Sequence, residues 1–266
     1  MSAADGSGGL GGRGGAGPRG EPWYEAAFRD DYRLVYAHRD LASAREEVGH
    51  LVAAGVRGRV LDLCCGFGRH ALALAERGLE VAGMDLSMDL LRAARELPGF
   101  ERRLRGRLVR GDAAALPFAG AAFDSVVVLF SSFGYLGEGG DARMIAELAR
   151  VLRPGGLAVL DLMNPARVRD GLVAESERVE PEFTLIERRS LADGGRRVRK
   201  RVELRRPGEP PRSWVEDVRM YEAAEIAGLC GAHRLRIESL RGDFAGAPLE
   251  PASPRMIALA RREAMG

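Results

Sequence analysis

The fold is decided by Gly58-Arg-Val-Leu-Asp-Leu-Cys-Cys-Gly-Phe-Gly-Arg-His-Ala71. The first half of this stretch is a short apolar run, which is typical of a buried parallel strand. Gly66 and Gly68 then interrupt the run, and Arg69–Arg77 follows with the pattern of a helix. A strand, a glycine turn and a helix in this order form half of a βαβ unit. Because glycine lets the backbone pass close to a ligand, the sequence predicts an α/β fold with a nucleotide-binding turn.

An acidic residue follows at the place where such units hold a ribose. Asp85 comes directly after the next apolar run, Glu80–Met84. It lies about twenty residues beyond the glycine turn, where a carboxylate accepts hydrogen bonds from ribose hydroxyls. We therefore expect the turn and Asp85 to bind a cofactor that carries a ribose.

Two kinds of cofactor are compatible with the glycines. Gly66-x-Gly68-x-x-Ala71 satisfies the dinucleotide fingerprint, which would indicate a nicotinamide-dependent oxidoreductase. Asp62, however, stands inside the strand, four residues before Gly66. A carboxylate there disfavours a pyrophosphate and suits a cationic ligand with an amino acid end and a ribose. The sequence favours the cationic ligand, and the dinucleotide stays open as the alternative.

Asp62–Gly68 resembles the first motif, D/E-x-G/C-x-G-x-G, of the class I, Rossmann-like methyltransferases that depend on S-adenosylmethionine (SAM). Four further segments resemble later parts of that family in chain order. The resemblance implies a doubly wound, mostly parallel seven-stranded sheet, with the last strand antiparallel and helices on both faces. The four segments are Val81–Ser87, Leu108–Ala113, Phe123–Phe130 and Leu148–Gly156, the last leading into a fifth strand at Leu157–Leu162.

The same resemblance implies SAM as the cofactor and S-adenosylhomocysteine (SAH) as the product. In the family, the acid of the second strand, here Asp85, holds the ribose hydroxyls, and the acid of the third, here Asp112, meets the adenine amino group. Phe130 ends the fourth strand beside the methionine portion, and Tyr36 is expected to close over the cofactor. No metal is expected. The expected cofactor-binding residues are Asp62, Cys64, Gly66, Gly68, Asp85, Leu86, Asp112, Ala113, Phe130 and Tyr36.

Composition shifts divide the chain into five expected parts. The first is a Gly-rich tail that is too poor in apolar side chains to pack, so we predict that it is disordered. The second has aromatic and apolar residues at helical spacing and is expected to form a helical cover over the carboxyl ends of the strands. The parts are 1–20 (tail), 21–56 (cover), 57–165 (SAM-binding core), 166–220 (antiparallel β insert or lid) and 221–266 (last helix and last two strands).

The insert is predicted from three runs of alternating polarity, with Asp193-Gly-Gly195 as the first turn. In Arg197–Arg205, charged residues alternate with Val198, Val202 and Leu204, which is typical of a half-exposed strand. The charged face could be the solvated face of a lid, a homodimer surface, or a binding surface for an anionic substrate or RNA. The predicted strands are Phe183–Arg188, Arg196–Arg205 and Trp214–Met220, followed by a helix at Tyr221–Cys230 and strands at Leu235–Arg241 and Met256–Arg261.

Composition limits the classes of function. The chain has 266 residues and a net charge of +2, which does not indicate a large nucleic-acid footprint. Three cysteines, two of them adjacent, do not form a disulfide framework, and no histidine pairs with a cysteine at zinc-like spacing. No apolar stretch approaches the length of a membrane span, and the N-terminus lacks an apolar signal core. A cytoplasmic location is therefore expected.

The segment Phe130-Ser-Ser-Phe-Gly-Tyr-Leu136 resembles one found in bacterial small-molecule methyltransferases, including amino-sugar N-methyltransferases. The resemblance implies methyl transfer to a nitrogen or oxygen of a small-molecule acceptor. Such a transfer is an in-line displacement in which orientation and the exclusion of water matter most. Tyr135 and His70 are the candidate catalytic residues, since an amine or hydroxyl acceptor must lose a proton. An RNA or protein methyltransferase and a non-catalytic SAM-binding protein stay open as alternatives.

Overall fold

The structure, a computed structural model, describes residues 22–28, 31–36 and 40–264 as two sheets with surrounding helices. The predicted tail, residues 1–20, lies outside the described residues. The helices are α1 (Trp23–Ala27), α2 (Tyr32–Val35), α3 (Leu41–Ala53), α4 (Arg69–Glu76), α5 (Met88–Ala93), α6 (Phe100–Arg103), α7 (Gly137–Val151), α8 (Pro165–Gly171) and α9 (Ala223–Ala232), with 3-10 turns at Ala94–Glu96 and Asp193–Gly195. The strands are β1 (Arg59–Leu63), β2 (Glu80–Asp85), β3 (Leu108–Arg110), β4 (Phe123–Val128), β5 (Leu152–Leu162), β6 (Glu175–Glu180), β7 (Phe183–Ala192), β8 (Arg197–Arg205), β9 (Arg212–Arg219), β10 (Leu235–Arg241) and β11 (Met256–Arg262).

The larger sheet has seven strands in the order β10-β11-β5-β4-β1-β2-β3. Its strands β5-β4-β1-β2-β3 are mutually parallel, and β11 runs antiparallel to both of its neighbours. Strand β1 is buried on both faces, because Leu61 and Leu63 pack with α7 on one side while Val60 packs with α3 and α4 on the other. The predicted fold class is therefore confirmed, and the carboxyl ends of β1, β2, β3 and β4 meet at one edge.

The smaller sheet is antiparallel in the order β6-β7-β8-β9. The sequence predicted three of these strands and missed β6. That strand reads Glu-Ser-Glu-Arg-Val-Glu, and its one apolar residue, Val179, is 71% exposed, so it carries no apolar alternation that a sequence pattern could detect. It forms because its backbone pairs with the edge of β7, and the insert is therefore one strand wider than predicted.

The helices expected to act as one cover divide between the two sheets. Helix α3 packs on α4 of the larger sheet through Ala44, Val48 and Leu51. Helices α1 and α2 instead pack on the insert, where Trp23 and Val35 join its apolar cluster. Other members of that cluster are Ala27, Phe183, Leu185, Val202, Leu204, Trp214 and Val218.

Polar contacts also tie the N-terminal segment to the insert. The buried carboxylate of Asp31 pairs with Arg206 and Arg212 at the β8–β9 connection. Arg178 of β6 donates to the carbonyl oxygen of Leu34. Contacts with the larger sheet include the Ser87 hydroxyl, which donates to the carbonyl oxygen of Phe28 at 2.5 Å. The first two helices and the insert thus form one covering layer over the edge where the strands end.

Several predicted boundaries are shifted, and two of the shifts have a clear cause. Strand β5 begins at Leu152 rather than Leu157, because Leu152 already pairs with Phe123 before an irregularity in the register. The last helix runs over Ala223–Ala232 rather than Tyr221–Cys230, because Glu222 caps it. The backbone N–H of Glu222 donates to the Glu225 carboxylate at 2.8 Å, which is half of a capping box.

Candidate active site

The glycine turn after β1 is the first part of the site. Gly66 and Gly68 have φ of 57° and 80°, in the left-handed region that glycine adopts without strain. Cys64 also has a positive φ, 59°, which is costly for a residue with a side chain. The Gly66 N–H donates to Asp85 Oδ2 at 2.8 Å, so the turn is fixed to the end of β2.

Asp85 is the second part of the site. Its Oδ1 accepts a hydrogen bond from the Ser87 N–H at 2.8 Å, while Oδ2 accepts the bond from Gly66. Burial raises the pKa of Asp85, and these two backbone donors act against that rise. A carboxylate oxygen has more than one acceptor site, so each oxygen keeps capacity for a ligand hydroxyl.

A cavity opens where these loops meet, at the carboxyl ends of β1, β2 and β4. The predicted residues Cys64, Gly66, Asp85, Leu86, Asp112, Ala113 and Phe130 line it. Asp112 is exposed at the rim, where its Oδ1 accepts from the Ala114 N–H at 2.8 Å. Other residues that line this cofactor cavity were not predicted for it, and they are Tyr24, Leu63, Met84, Leu90, Gly111, Ser132, Leu136 and Met144, with Phe28 and Tyr32 from the expected cover.

Asp62 and Gly68 lie behind this cavity rather than in its lining. Asp62 is 1% exposed, and no hydrogen-bond partner of its Oδ2 is present among the described residues. Burial raises the pKa of Asp62 to about 7, although the positive charge of Arg69 acts in the opposite direction. A buried carboxylate oxygen that lacks a partner is a place where a cationic amino group would be stabilised.

The end of β4 is held in an unusual conformation. Phe130 and Ser131 have φ of 57° and 56°, which is rare for residues with side chains. The Phe130 N–H donates to the buried Asp161 Oδ2 at 2.8 Å, and the Ser131 N–H donates to the Asp161 carbonyl oxygen at 3.0 Å. Arg255 pairs with the same carboxylate and lies over the Phe130 ring, 5.0 Å from its centroid. Asp161 and Arg255 therefore fix the loop that borders the cofactor cavity.

A second cavity lies between that loop, α8 and the insert sheet. It shares Phe130 and Tyr135 with the cofactor cavity, so the two cavities meet at these side chains. Its apolar lining comes from Met163, Val168, Leu172, Val173, Val198 and Val218, and its polar lining includes Tyr36, Ser131, Arg167, Ser176, Arg189, Lys200 and Glu216.

The two candidate catalytic residues occupy different places. Tyr135 is half-buried at the junction, with its ring centroid 4.8 Å from that of Trp23 and 5.8 Å from that of Phe28. His70 is buried beside α3, where its Nε2 is 2.7 Å from Glu47 Oε2. His70 is not among the residues that line either cavity.

Tyr36, which was expected to close over the cofactor, lines the second cavity and is not among the residues that line the cofactor cavity. Its hydroxyl donates to the Glu216 carboxylate, 2.7 Å from Oε2, and accepts from Lys200. Lys200 also pairs with Glu187 Oε1 at 3.3 Å and Glu216 Oε2 at 2.9 Å. This network joins the end of α2 to β8 and β9. Sequence analysis missed it, although Lys200 is the only lysine in an arginine-rich chain.

The charged outer face of the insert is largely neutralised. Arg197 and Arg199 both pair with Asp217, at 2.7 and 3.0 Å. Arg205 pairs with Glu203 at 2.7 Å, and Arg188 pairs with Glu175 at 3.1 Å. A face on which arginines alternate with carboxylates does not present the unbroken positive stripe that nucleic acid requires.

Within the described part of the chain, no group of three or more His, Cys, Asp or Glu side chains is placed to hold a metal ion. No helix in that part has both the length and the apolar character needed to cross a bilayer. Burial raises the pKa of the Cys64 and Cys65 thiols well above the ordinary value, so both cysteines are neutral near pH 7.

Comparisons with known proteins agree with this geometry. Residues 60–156 match the family model described as a methyltransferase domain. A demethylmenaquinone methyltransferase of Thermus thermophilus is 42% identical over 118 residues, which are 43% of this chain and 52% of that protein. The chain thus spans about half the length of this curated relative.

Two further proteins match over most of their length. The dTDP-3-amino-3,4,6-trideoxy-alpha-D-glucopyranose N,N-dimethyltransferase of Streptomyces venezuelae is 29% identical over 233 residues, which are 84% of this chain and 96% of that protein. The SAM-bound structure of CalS10, an amino pentose methyltransferase from Micromonospora echinaspora, superimposes with a TM-score of 0.66 at 26% identity, covering 87% of this chain and 96% of that one.

Residues 60–156 thus match a methyltransferase domain, and most of the chain resembles SAM-dependent methyltransferases, the class that the sequence motifs predicted. The residues present fit SAM at the cofactor cavity. Asp85 has acceptor capacity for ribose hydroxyls, and the Gly66 turn leaves room for a close approach. Within that class, the resemblance to amino-sugar N-methyltransferases extends over both the core and the covering layer.

Proposed function

We propose that this protein transfers a methyl group from SAM to a nitrogen or oxygen of a small-molecule acceptor. The observation that carries the proposal is the junction of two cavities at Phe130 and Tyr135. The first cavity has the features of a SAM site, and the second is an adjoining space of mixed polarity. A methyl group at the junction would face an acceptor in the second cavity.

The described residues have three tasks in this reaction. SAM supplies an electrophilic methyl group on sulfur, and its loss leaves a neutral thioether that needs no acid. Asp85 and the Gly66 turn orient the cofactor, and the Asp161–Arg255 pair holds Phe130 at the junction. The covering layer of α1, α2 and the insert excludes water, which would otherwise compete with the acceptor.

Tyr135 is the better of the two candidate catalytic residues, because it lines both cavities. We propose that its hydroxyl orients the acceptor for in-line attack and relays to solvent the proton that the acceptor loses. For His70 we propose a positioning role. Its ring stacks on Phe130 with 5.5 Å between centroids, and Glu47 holds its other side.

An amine is the favoured acceptor group. The relative from Streptomyces venezuelae is named as an N,N-dimethyltransferase of an amino sugar, and it matches 84% of this chain. The second cavity also offers what a small polar ring needs, an apolar wall with hydroxyl and charged groups at one end. The cytoplasmic location and the homodimer expected from the sequence remain part of this proposal.

The alternatives have less support. RNA methylation would need a positive surface, and the outer arginines of the insert are mostly paired with carboxylates. A nicotinamide cofactor would place a pyrophosphate near Asp62, which disfavours it electrostatically. A non-catalytic SAM-binding protein would not need the second cavity.

The test is a screen of amines, amino sugars and phenols with methyl-labelled SAM, together with calorimetry of SAH binding. Asp85→Ala should weaken SAH binding by about 2–3 kcal/mol, because charge-assisted hydrogen bonds are lost and the Gly66 turn is released. Asp170→Ala, an exposed change on α8, is the matched control. Label found only in RNA or protein, or tighter binding of NAD than of SAH, would contradict the proposal.

A further inference from the structure

The side chains that line the second cavity carry more positive than negative charge. Three cations line it, Arg167, Arg189 and Lys200, against one carboxylate, Glu216. Glu187 lies behind the wall and pairs with both Arg189 and Lys200, at 2.5 and 3.3 Å. Glu187, Glu216, Arg189 and Lys200 therefore form a mutually compensated set, with side chains between 11% and 24% exposed.

Arg167 is the remaining cation of the lining, and it does not belong to this compensated set. It is exposed at the rim of the cavity on α8, and no carboxylate of the described residues lies within 4.0 Å of its guanidinium nitrogens. Arg169, on the same short helix, shows the contrast. It pairs with Glu222 and donates from Nε to the Gly195 carbonyl oxygen at 3.1 Å, so its charge is used within the fold.

The surroundings of Arg167 keep its guanidinium accessible. A Cβ at Gly171 would lie 3.0 Å from Arg167 Nη1, so the absence of a side chain there leaves room for the group. Leu172 and Val173 continue the rim, and Val173 is 60% exposed. A rim that combines an uncompensated guanidinium with apolar side chains suits an oxyanion attached to a less polar body.

We propose that Arg167 forms a subsite for an oxyanion, a phosphate or a carboxylate, that the acceptor carries away from the group to be methylated. This inference rests on the proposed function, because it assumes that the second cavity receives the acceptor. Helix α8 follows β5 directly, so Arg167 stands at the same sheet edge as Phe130. The acceptor would lie with its nucleophile at the junction and its oxyanion at the rim.

Calorimetry with two simple probes tests the subsite without methyl transfer. Pyrophosphate and succinate are titrated separately at low ionic strength into the full chain, with and without saturating SAH. At least one probe should bind, and Arg167→Gln should weaken that binding about fivefold or more, as expected for a lost guanidinium–oxyanion contact. Arg167→Lys should recover part of the loss, since the charge returns without the bidentate geometry.

Arg201→Gln is the matched control. Arg201 is exposed on the outer face of β8, between Lys200 and Val202 whose side chains face inward, and it carries the same charge as Arg167. Affinity in this variant should equal that of the wild type. A preference for pyrophosphate would assign a phosphate, and a preference for succinate a carboxylate. Equal affinity in Arg167→Gln and wild type, or no binding of either probe, would overturn the subsite. Failure of SAH to bind would count against the proposed function instead.

Discussion

Asp62 is the residue where burial and charge oppose each other most clearly. It is enclosed between the strands and α4, its pKa is raised to about 7, and one oxygen lacks a partner among the described residues. In the folded chain this carboxyl therefore holds its proton over a pH range in which an exposed aspartate is ionised. Its state should change when a cationic group binds beside it.

The first prediction concerns the pH dependence of folding. Between pH 3.8 and about 7 the folded state binds the Asp62 proton more tightly than the unfolded state does. The free energy of unfolding contributed by this group should therefore fall as pH rises through that window, and stay constant above it. Asp62→Asn should lack this part of the pH dependence, as measured by urea denaturation at several pH values. The same slope in both proteins would exclude Asp62 as its source.

The same titration should couple to cofactor binding. The positive charge of the SAH amino group, bound in the cavity in front of Asp62, would favour the carboxylate, so SAH binding at about pH 6 should release up to about one proton, and at about pH 8.5 none from this group. Calorimetry in two buffers of different ionisation enthalpy measures that release. It should disappear in Asp62→Asn, and its persistence there would mean that another group loses the proton.

At the residue scale, the motif residues of the first and second strands were predictable because they lie within one strand–turn–helix unit. Local sequence alone determines the conformation of the turn at Gly66 and the position of Asp85 at the end of its strand. The position of Tyr36 in the second cavity was not predictable, because its partners, Lys200 and Glu216, are more than 160 positions away in the chain. Local pattern carries no information about such a contact.

At the scale of elements, the loop after β4 and strand β9 are joined by a close backbone contact. Gly134 has φ of 93°, its carbonyl oxygen accepts from the Arg219 N–H at 2.9 Å, and a Cβ there would lie 2.2 Å from the Arg219 carbonyl oxygen. No side chain can be accommodated without separating the two segments. This contact fixes the insert relative to the junction of the cavities.

Gly134→Ala should therefore lower the free energy of unfolding by about 3 kcal/mol or more, from left-handed strain plus the broken contact. Gly208→Ala is the control, because Gly208 has φ of 78° but nothing within 4 Å of the added Cβ. That change should cost about 1 kcal/mol. Equal losses in urea denaturation would show that strain alone, and not the contact with Arg219, sets the cost.

A second element-scale prediction concerns Lys200. Its ammonium has three donors, and Tyr36, Glu187 and Glu216 accept them. Lys200→Met should destabilise the protein by about 3 kcal/mol or more, because it leaves the mostly buried Glu216 without its cation and Glu187 with Arg189 alone. Arg201→Met, at the neighbouring exposed position, should change the urea midpoint little. A similar shift in both variants would contradict a specific role for the network.

At this scale the sequence predicted the strands with alternating apolar residues and missed β6. The missed strand is polar on both faces and is held by backbone pairing with β7, which no side-chain pattern encodes. The boundary of α9 was shifted because a glutamate capping box, rather than the end of the apolar run, sets the start of that helix.

At the scale of the whole molecule, the covering layer is shared by two distant parts of the chain. Residues 22–36 contribute Trp23 and Val35 to the apolar cluster of the insert, and Tyr24, Phe28 and Tyr32 to the lining of the cofactor cavity. The sequence indicated that the N-terminal helices would lie over the strand ends. It did not indicate that they would pack on the insert, because that packing depends on a tertiary contact between two otherwise independent amphipathic surfaces.

Deleting residues 1–40 should abolish methyl transfer and weaken SAH binding about tenfold or more, while the seven-stranded sheet stays folded. Far-ultraviolet circular dichroism and calorimetry measure these effects. A chain that begins at Glu21 is the control and should keep the wild-type melting temperature and affinity, since a Gly-rich sequence buries little apolar surface. Full SAH affinity in the longer deletion would show that the aromatic residues of α1 and α2 do not contact the cofactor.

The dual use of the N-terminal segment has a kinetic consequence. The side chains that roof the cofactor cavity and the tyrosine that borders the second cavity are carried on the same few residues, and these are anchored to the insert through Asp31. Opening the path for one ligand therefore disturbs the boundary of the other. Exchange of SAH for SAM should therefore be slow while an acceptor is bound. We also expect the two products to leave in a fixed order, because movement of the same N-terminal segment releases both.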